Sequence, residues 1–279
     1  MTTDAGHAAS ADLLAIARRI ALTVAETALE ERRRGIAVEA TKSTPTDVVT
    51  AVDRDTEARI RSMILDARPD DGILGEEDDT HVGTSGLNWV VDPIDGTVNL
   101  LYDIPAWSVS IAVVDGPPDP EHWHALAGVV VNPVSGEVFT ASAGGGARLG
   151  DRELRVNDDV QLPHALVATG FGYAVDRRRS QAEALLHVLP RIRDIRRIGS
   201  AALDLGAVAA GRLDAFYEQG LNPWDLSAGG LVAQEAGARV EGLHGRPAGF
   251  ALTLAAAPGL FDALHDLLAR YDADADPCG

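Results

Sequence analysis

Two aspartates three positions apart mark the stretch of this chain best equipped for chemistry: Asp92-Pro93-Ile94-Asp95-Gly96-Thr97. The apolar, β-leaning Trp89-Val90-Val91 ahead of it reads as a buried strand that delivers Asp92 to its own end, because the residue before a proline is pushed away from helical backbone. Pro93 fixes its φ, Gly96 permits a tight turn or a close backbone approach, and Thr97 brings a hydroxyl. Carboxylates at this spacing converge on one point only if the chain between them bends, and Pro93-Ile94 supplies the bend. Oxygen-only ligands suit hard cations such as Mg²⁺ or Mn²⁺, and amides after a glycine turn can hold a phosphate beside the metal. An Asx-type turn that merely caps a strand uses the same residue types, so the choice between the two readings falls to the rest of the chain.

Other acids stand where they can join the first two. Ile73-Leu74-Gly75-Glu76-Glu77-Asp78-Asp79 reads as a short strand, a glycine and an acidic run. Such a run is usually a solvated loop; the alternative is that Glu76 faces the same site as Asp92 while Asp78 and Asp79 face water. Asp53 opens a helix predicted over 53–66, and Asp225, after Asn222-Pro223-Trp224, opens one predicted over 226–236. Each is either an N-cap or an acid pointing from a helix mouth into a site. Asp47 carries the same ambiguity as a turn residue. Lys42 is the single lysine beside 23 arginines, either a chosen flexible point charge or a chance survivor.

The elements that must position these residues fall into two rhythms. An amphipathic helix is predicted over 11–31, with its Arg32-Arg33-Arg34 end suited to the negative pole of the dipole and Gly35 as a stop. Residues 107–114, 126–131 and 137–141 read as strands of an antiparallel meander, with Gly144-Gly145-Gly146 as a hairpin turn. From about Arg155 strands alternate with helices: strands at 165–169, 195–198, 214–217 and 251–256, helices at 181–189, 201–210, 226–236 and 260–271. This divides the chain into an N-terminal α+β half, 1–154, and a C-terminal α/β half, 155–279.

Composition narrows the function. A net charge of −18 disfavours nucleic acid and acidic membranes as partners, and bound cations would remove the same objection to a phosphorylated metabolite. No apolar run is long enough for a membrane span, the first residues lack the basic-then-apolar order of a secretory signal, and the expected compartment is the cytoplasm. Cys278 is the one cysteine, which excludes an internal disulfide or a thiolate metal site. His122 and His124 read as part of a polar loop after Pro117-Pro118. No Walker A loop is present.

Taken jointly, Gly75-Glu76-Glu77, Trp89-x-x-Asp92-Pro93-Ile94-Asp95-Gly96-Thr97-x-Asn99 and Trp224-Asp225-x-x-Ala228-Gly229 resemble the inositol monophosphatase family of Mg²⁺-dependent, lithium-sensitive phosphatases, most closely its bacterial members. Lys42-Ser43-x-Pro45-x-Asp47 through Asp53, Arg197-x-Gly199-Ser200-Ala201-Ala202 and Asp214-Ala215-x-Tyr217-Glu218 extend the likeness over nearly the whole chain. Leu100 departs from a frequent phenylalanine, a matter of packing.

The resemblance implies a mixed α/β fold, a layered αβαβα sandwich, assembled as a homodimer. It implies one Mg²⁺ on Glu76, Asp92 and the Ile94 carbonyl, a second on Asp92, Asp95 and Asp225, and a weaker third near Glu76. Thr97 and Asp53 would orient the attacking water, with Glu76 counted beside them as catalytic. The Gly96 and Thr97 amides would meet phosphate, and Glu218, Ser200 and Ala201 the alcohol, close to Asp225. Phosphoester cleavage needs in-line water, charge neutralisation and leaving-group stabilisation. Paired metals can meet all three needs, so water attacks directly with no phosphoenzyme. The expected substrate is inositol-1-phosphate or a similar polyol phosphate. Histidinol phosphate, fructose 1,6-bisphosphate and 3′-phosphoadenosine 5′-phosphate are the alternatives, and a non-catalytic binding protein is a remote one.

Overall fold

The structure is a computed structural model and describes residues 4–35, 38–41 and 48–275. Lys42, Asp47 and Cys278 lie outside the described residues. Helix α1 spans Asp4–Arg34, and its stripe of Leu13, Ala17, Ile20, Ala21, Val24 and Ala28 is buried as its helical spacing predicts. Strands β1 (Val38–Thr41) and β2 (Val48–Thr50) pair antiparallel and lead into α2 (Ala51–Ala67). Both helices outrun their predicted ends, since termini carry fewer apolar residues than the middle of a stripe.

Strand β3 (Gly72–Gly75) runs parallel to β4 (Leu87–Asp95), which hands over to the short helix α3 (Thr97–Leu101). The meander follows: β5 (Ser108–Asp115), β6 (His124–Asn132), β7 (Glu137–Ser142), β8 (Gly146–Leu149) and β9 (Arg152–Glu153), each antiparallel to the last. The seven strands lie in sequence order, and β7 turns into β8 around Gly144-Gly145 as expected. His124 begins β6, while His122 stays in the turn before it, bonded through Nδ1 to Asp119 at 2.8 Å.

The second half contributes β10 (Leu166–Thr169), α4 (Val175–Val188), β11 (Asp194–Arg196), α5 (Ala201–Ala209), β12 (Ala215–Glu218), α6 (Pro223–Glu235), β13 (Arg239–Glu241), β14 (Thr253–Ala256) and α7 (Pro258–Arg270). Its sheet has the order β11-β10-β12-β14-β13 and is mixed, parallel around β10 and antiparallel around β14. Strands β1, β2 and β13 are too short for periodicity to announce them.

Burial sorts these elements into five layers. Helices α1 and α2 cover one face of the large sheet through Ile20, Ile60, Ile64, Trp89 and Ile111. Helices α5 and α6 fill the space between the two sheets, meeting the large one through Phe139, Val130 and Ala228 and the small one through Phe216, Leu205 and Val208. Helices α4 and α7 close the far side over Val167, Leu254, Leu264 and Leu268. The fold is the expected αβαβα sandwich. Crossing of α5 and α6 is close because Gly229 has no side chain: a Cβ there would sit 2.9 Å from Leu205 Cβ. Among the described residues no helix is long and apolar enough to cross a membrane.

Candidate active site

Strand β4 does not stop at Asp92 as the Asp-Pro step predicts; it continues to Asp95 through an irregularity. Asp92 pairs with Ser110 and Asp95 with Ser108, so three steps along β4 match two along β5. That extra residue is a bulge, which tolerates a proline lacking an N–H and supplies the bend that turns both carboxylates to one side. Gly96 follows with φ of 99°, the left-handed region, and a Cβ on it would lie 3.0 Å from the Gly199 carbonyl oxygen. Only glycine fits this corner without strain.

The bend brings together what the sequence separates. Carboxylate oxygens of Asp92, Asp95 and Asp225 lie within 4.8 Å of one another. They line a cavity of about 530 Å³ with Glu76, Ile94, Gly96, Thr97, Ser200, Ala201 and Glu218. Every expected site residue is there except Asp53. That aspartate is fully buried beneath the wall, its Oδ1 accepting from Thr97 Oγ1 at 2.8 Å. Asp78 and Asp79 are exposed, whereas Glu76 turns inward and hydrogen-bonds Asp92, as the alternative reading of the acidic run has it.

Neither helix-opening acid is an N-cap. Thr50 caps α2 and Asp53 occupies the third helical position, accepting from the Thr50 amide at 2.9 Å through Oδ2. Asn222 caps α6, and Asp225, again third, accepts from the Asn222 amide at 2.7 Å. In both capping boxes the acid bonds back to the cap, which fixes its carboxyl. Asp53 then presents its other oxygen to Thr97.

Asp95 is held from the opposite side of the fold. Its carboxylate accepts from Ser200 Oγ at 2.6 Å, the Ala202 amide at 2.8 Å and the Ala201 amide at 3.3 Å, at the positive end of α5. Ser200 also accepts from the Leu203 amide at 3.3 Å, so its hydroxyl is committed to the frame. Asn99 joins the same walls, its Nδ2 donating to the carbonyls of Ala106 at 2.7 Å and Ile198 at 2.9 Å.

Burial raises the pKa of Asp92 well above the usual carboxylate range, with the charges of Glu76, Asp95 and Asp225 adding to it. Asp225 is raised by the same two causes. For Asp95 burial also wins, although Ser200 and the α5 amides oppose it. Converging buried carboxylates are costly unless a cation binds, and an all-oxygen donor set fits a hard divalent metal. The donors available are Glu76, Asp92, Asp95, Asp225 and the Ile94 carbonyl.

Away from the carboxylates the cavity carries residues that sequence reasoning passed over: Phe171, Tyr173, Arg177 and Phe250, with Arg177 over the Phe250 ring at 4.7 Å. No local pattern marks them: Phe171, Tyr173 and Arg177 come from the turn after β10 and the start of α4, and only the fold brings Phe250 to them. Arg197, quoted above only as part of a motif, lines the cavity as well. Burial pushes Glu218 up to about 8, against the pull of Arg197.

Asp204, on α5, was missed altogether. It is 1% exposed, its Oδ1 finds no hydrogen-bond partner among the described residues, and burial with the charges of Glu218 and Asp95 pushes it up to about 9. A folded pKa above the ordinary value favours folding most at pH below that value; the contribution disappears as pH rises toward the folded pKa. Asp204→Asn removes that dependence. In EDTA at pH 8 its Tm is expected to exceed the parent's by at least about 3 °C, the effect of roughly 1 kcal/mol in a chain of this size, with the gap narrowing toward pH 5. A gap independent of pH would contradict the assignment.

The inositol monophosphatase family profile matches residues 10–273. Inositol-1-monophosphatase SuhB of Mycobacterium tuberculosis is 48% identical over 241 residues, spanning 83% of this chain and 81% of that protein. Nus factor SuhB of Salmonella typhimurium is 38% identical over 239 residues, 84% of this chain and 86% of that protein. The solved structure of Mycobacterium tuberculosis SuhB superposes with a TM-score of 0.80 at 43% identity, covering 95% of this chain and 98% of that one.

Proposed function

The chain belongs to the inositol monophosphatase family and is a phosphatase, and from that premise we propose that it is a Mg²⁺-dependent phosphomonoesterase acting on inositol-1-phosphate or a similar small polyol phosphate. One observation carries the reading: three carboxylates converge on one point beside a threonine whose hydroxyl is held by a buried aspartate. Glu76, Asp92, Asp95, Asp225 and the Ile94 carbonyl are assigned to two or three Mg²⁺, with Mn²⁺ able to replace them. Divalent ions held there supply charge neutralisation and a more acidic water.

The remaining steps belong to the chain. A hydroxyl has one proton, and Thr97 gives it to the Asp53 carboxylate at 2.8 Å, a charge-assisted bond preferred over the Ile94 carbonyl at 3.1 Å. Its lone pairs then face the cavity and accept from the attacking water, orienting it in line. Asp53 acts through Thr97 and is a positioning residue. The Gly96 and Thr97 amides are assigned to the phosphate, and Glu218 with Ala201 to the alcohol. Ser200, its hydroxyl spent on Asp95 and Leu203, contributes main chain only.

Glu218 favours a polyol, because an ionised carboxylate accepts from hydroxyls and nearby cations favour its ionised form. The cytoplasm is assigned as the compartment, in keeping with a chain whose one cysteine, Cys278, excludes an internal disulfide. A homodimer is assigned too: Tyr102, Ile104 and Val134 are exposed on loops tied together by Asn132 Nδ2 donating to the Pro105 carbonyl at 3.1 Å. Inhibition by Li⁺ is expected.

The test is kcat/KM for phosphate release from inositol-1-phosphate, histidinol phosphate, fructose 1,6-bisphosphate and 3′-phosphoadenosine 5′-phosphate, for the parent and Glu218→Gln. Inositol-1-phosphate should lead by at least about tenfold, the discrimination worth roughly 1.4 kcal/mol, and Glu218→Gln should erase that lead. Another ester in first place would overturn the substrate assignment. No release from any ester would favour a non-catalytic binding role.

A further inference from the structure

Asp53 and Glu57 stand one turn apart on α2, and each holds a different wall of the cavity. Glu57 is 1% exposed and does not line the cavity. Its Oε2 accepts from the Glu77 amide at 2.8 Å, while its Oε1 accepts from the Asp78 amide at 3.1 Å and from Arg61 Nε at 2.8 Å. Arg61, one turn further along, donates through a terminal nitrogen to the Asp78 carbonyl at 3.1 Å. The amides so held are the two that follow Glu76. On the other side of Glu76, a Cβ on Gly75 would lie 2.3 Å from Glu57 Oε1, so the carboxyl lies directly against the backbone there too. One buried carboxylate therefore holds the chain after the inward-turned Glu76 by hydrogen bonds and packs against the residue before it.

We propose that Glu57, backed by Arg61, is a positioning residue for Glu76 and thereby sets the affinity of the site for its divalent cation, a role that rests on the reading of Glu76 as a ligand given above. Bonds from N–H donors to an ionised acceptor are among the stronger ones in proteins, and loss of the charge weakens those from the Glu77 amide, the Asp78 amide and Arg61 together. A glutamine in place of Glu57 keeps one oxygen but turns an NH₂ toward an amide N–H, donor against donor. The turn is then free to shift, and Glu76 with it. Partners that orient metal ligands in this way characteristically affect affinity by about 10–100-fold.

The experiment is a Mn²⁺ titration of the metal-stripped, full-length protein by electron paramagnetic resonance, a readout separate from turnover. Glu57→Gln and Glu76→Gln are each expected to weaken binding at one site by about 10–100-fold. The double variant should bind no more weakly than Glu76→Gln alone, because both act through one carboxyl. Parent-like affinity in Glu57→Gln, with Glu76→Gln weakened, would overturn the proposal and leave the ligand assignment standing. Parent-like affinity in Glu76→Gln would overturn the ligand assignment and the proposal with it. If Glu57→Gln fails to fold, Gly75→Ala displaces the same carboxyl while keeping its charge. The same loss is expected there, and parent affinity in that variant would overturn the proposal.

Discussion

Replacing Asp92 with asparagine is expected to lower kcat/KM for phosphate release by at least about 10³-fold, a loss of roughly 4 kcal/mol of transition-state stabilisation. Asp92 is the one aspartate assigned to both principal cations, and it sits between Glu76 and the Asp95–Asp225 pair. The stability of the metal-free variant should change in the opposite direction. A buried carboxylate facing three others opposes folding when no cation is bound, so Asp92→Asn should melt above the parent in EDTA. Added Mg²⁺ should stabilise the parent and leave the variant almost unmoved, by mass action on the folded state alone. Calorimetric melts of both proteins with and without Mg²⁺ check this; an active variant, or one stabilised by Mg²⁺ like the parent, would contradict the ligand role.

The second large effect is expected at a residue the substrate never touches. Asparagine at position 53 keeps an oxygen for the Thr50 amide, now 2.9 Å from Asp53 Oδ2, and turns its NH₂ toward Thr97. Thr97 then accepts that N–H, which takes a lone pair meant for the water, and its own proton turns to the Ile94 carbonyl at 3.1 Å or into the cavity, so the hydroxyl no longer orients the water as before. The expected loss in kcat is about 10²–10⁴-fold, the range for positioned proton acceptors, with Mg²⁺ affinity and KM nearly unchanged. Thr97→Val should show the same split and Thr97→Ser should be nearly normal. A parent-like rate for Asp53→Asn would refute the proton path from Thr97 to Asp53.

Both expectations were legible in the sequence to different depths. Asp92, Asp95, Gly96 and Thr97 fall within one bend, so local backbone rules were enough to bring them together. Those same rules misplaced the end of β4, because a bulge between Asp92 and Asp95 absorbs the proline and lets the ladder resume. The placing of Asp225 and Glu218 came from resemblance, since nothing local tells a capping acid from a cation ligand. Asp53 and Asp225 share one device that only coordinates reveal, a third-position acid whose bond to the cap fixes its carboxyl.

Residues outside that reach have a common feature. Glu57 with Arg61 looks in sequence like an i, i+4 pair on a solvated helix face, yet Glu57 is buried and Arg61 half-buried against the loop after Glu76. Asp204 looks like an ordinary acid near a helix start, yet it lies beside Glu218 and Asp95. Their partners are distant in the chain, and burial alone converts a common residue type into a costly one. The layered fold was more accessible, because alternating strands and amphipathic helices must bury their apolar faces on one another.

The claim at the centre is that cations on the Asp92, Asp95, Asp225 and Glu76 carboxylates make this chain a phosphatase for a small polyol ester. Its most direct test is phosphate release from inositol-1-phosphate by metal-stripped protein titrated with Mg²⁺. Activity should be absent in EDTA, rise with Mg²⁺ and saturate over the same concentrations that raise the Tm. Release that persists in EDTA, or no release at saturating Mg²⁺, would contradict it.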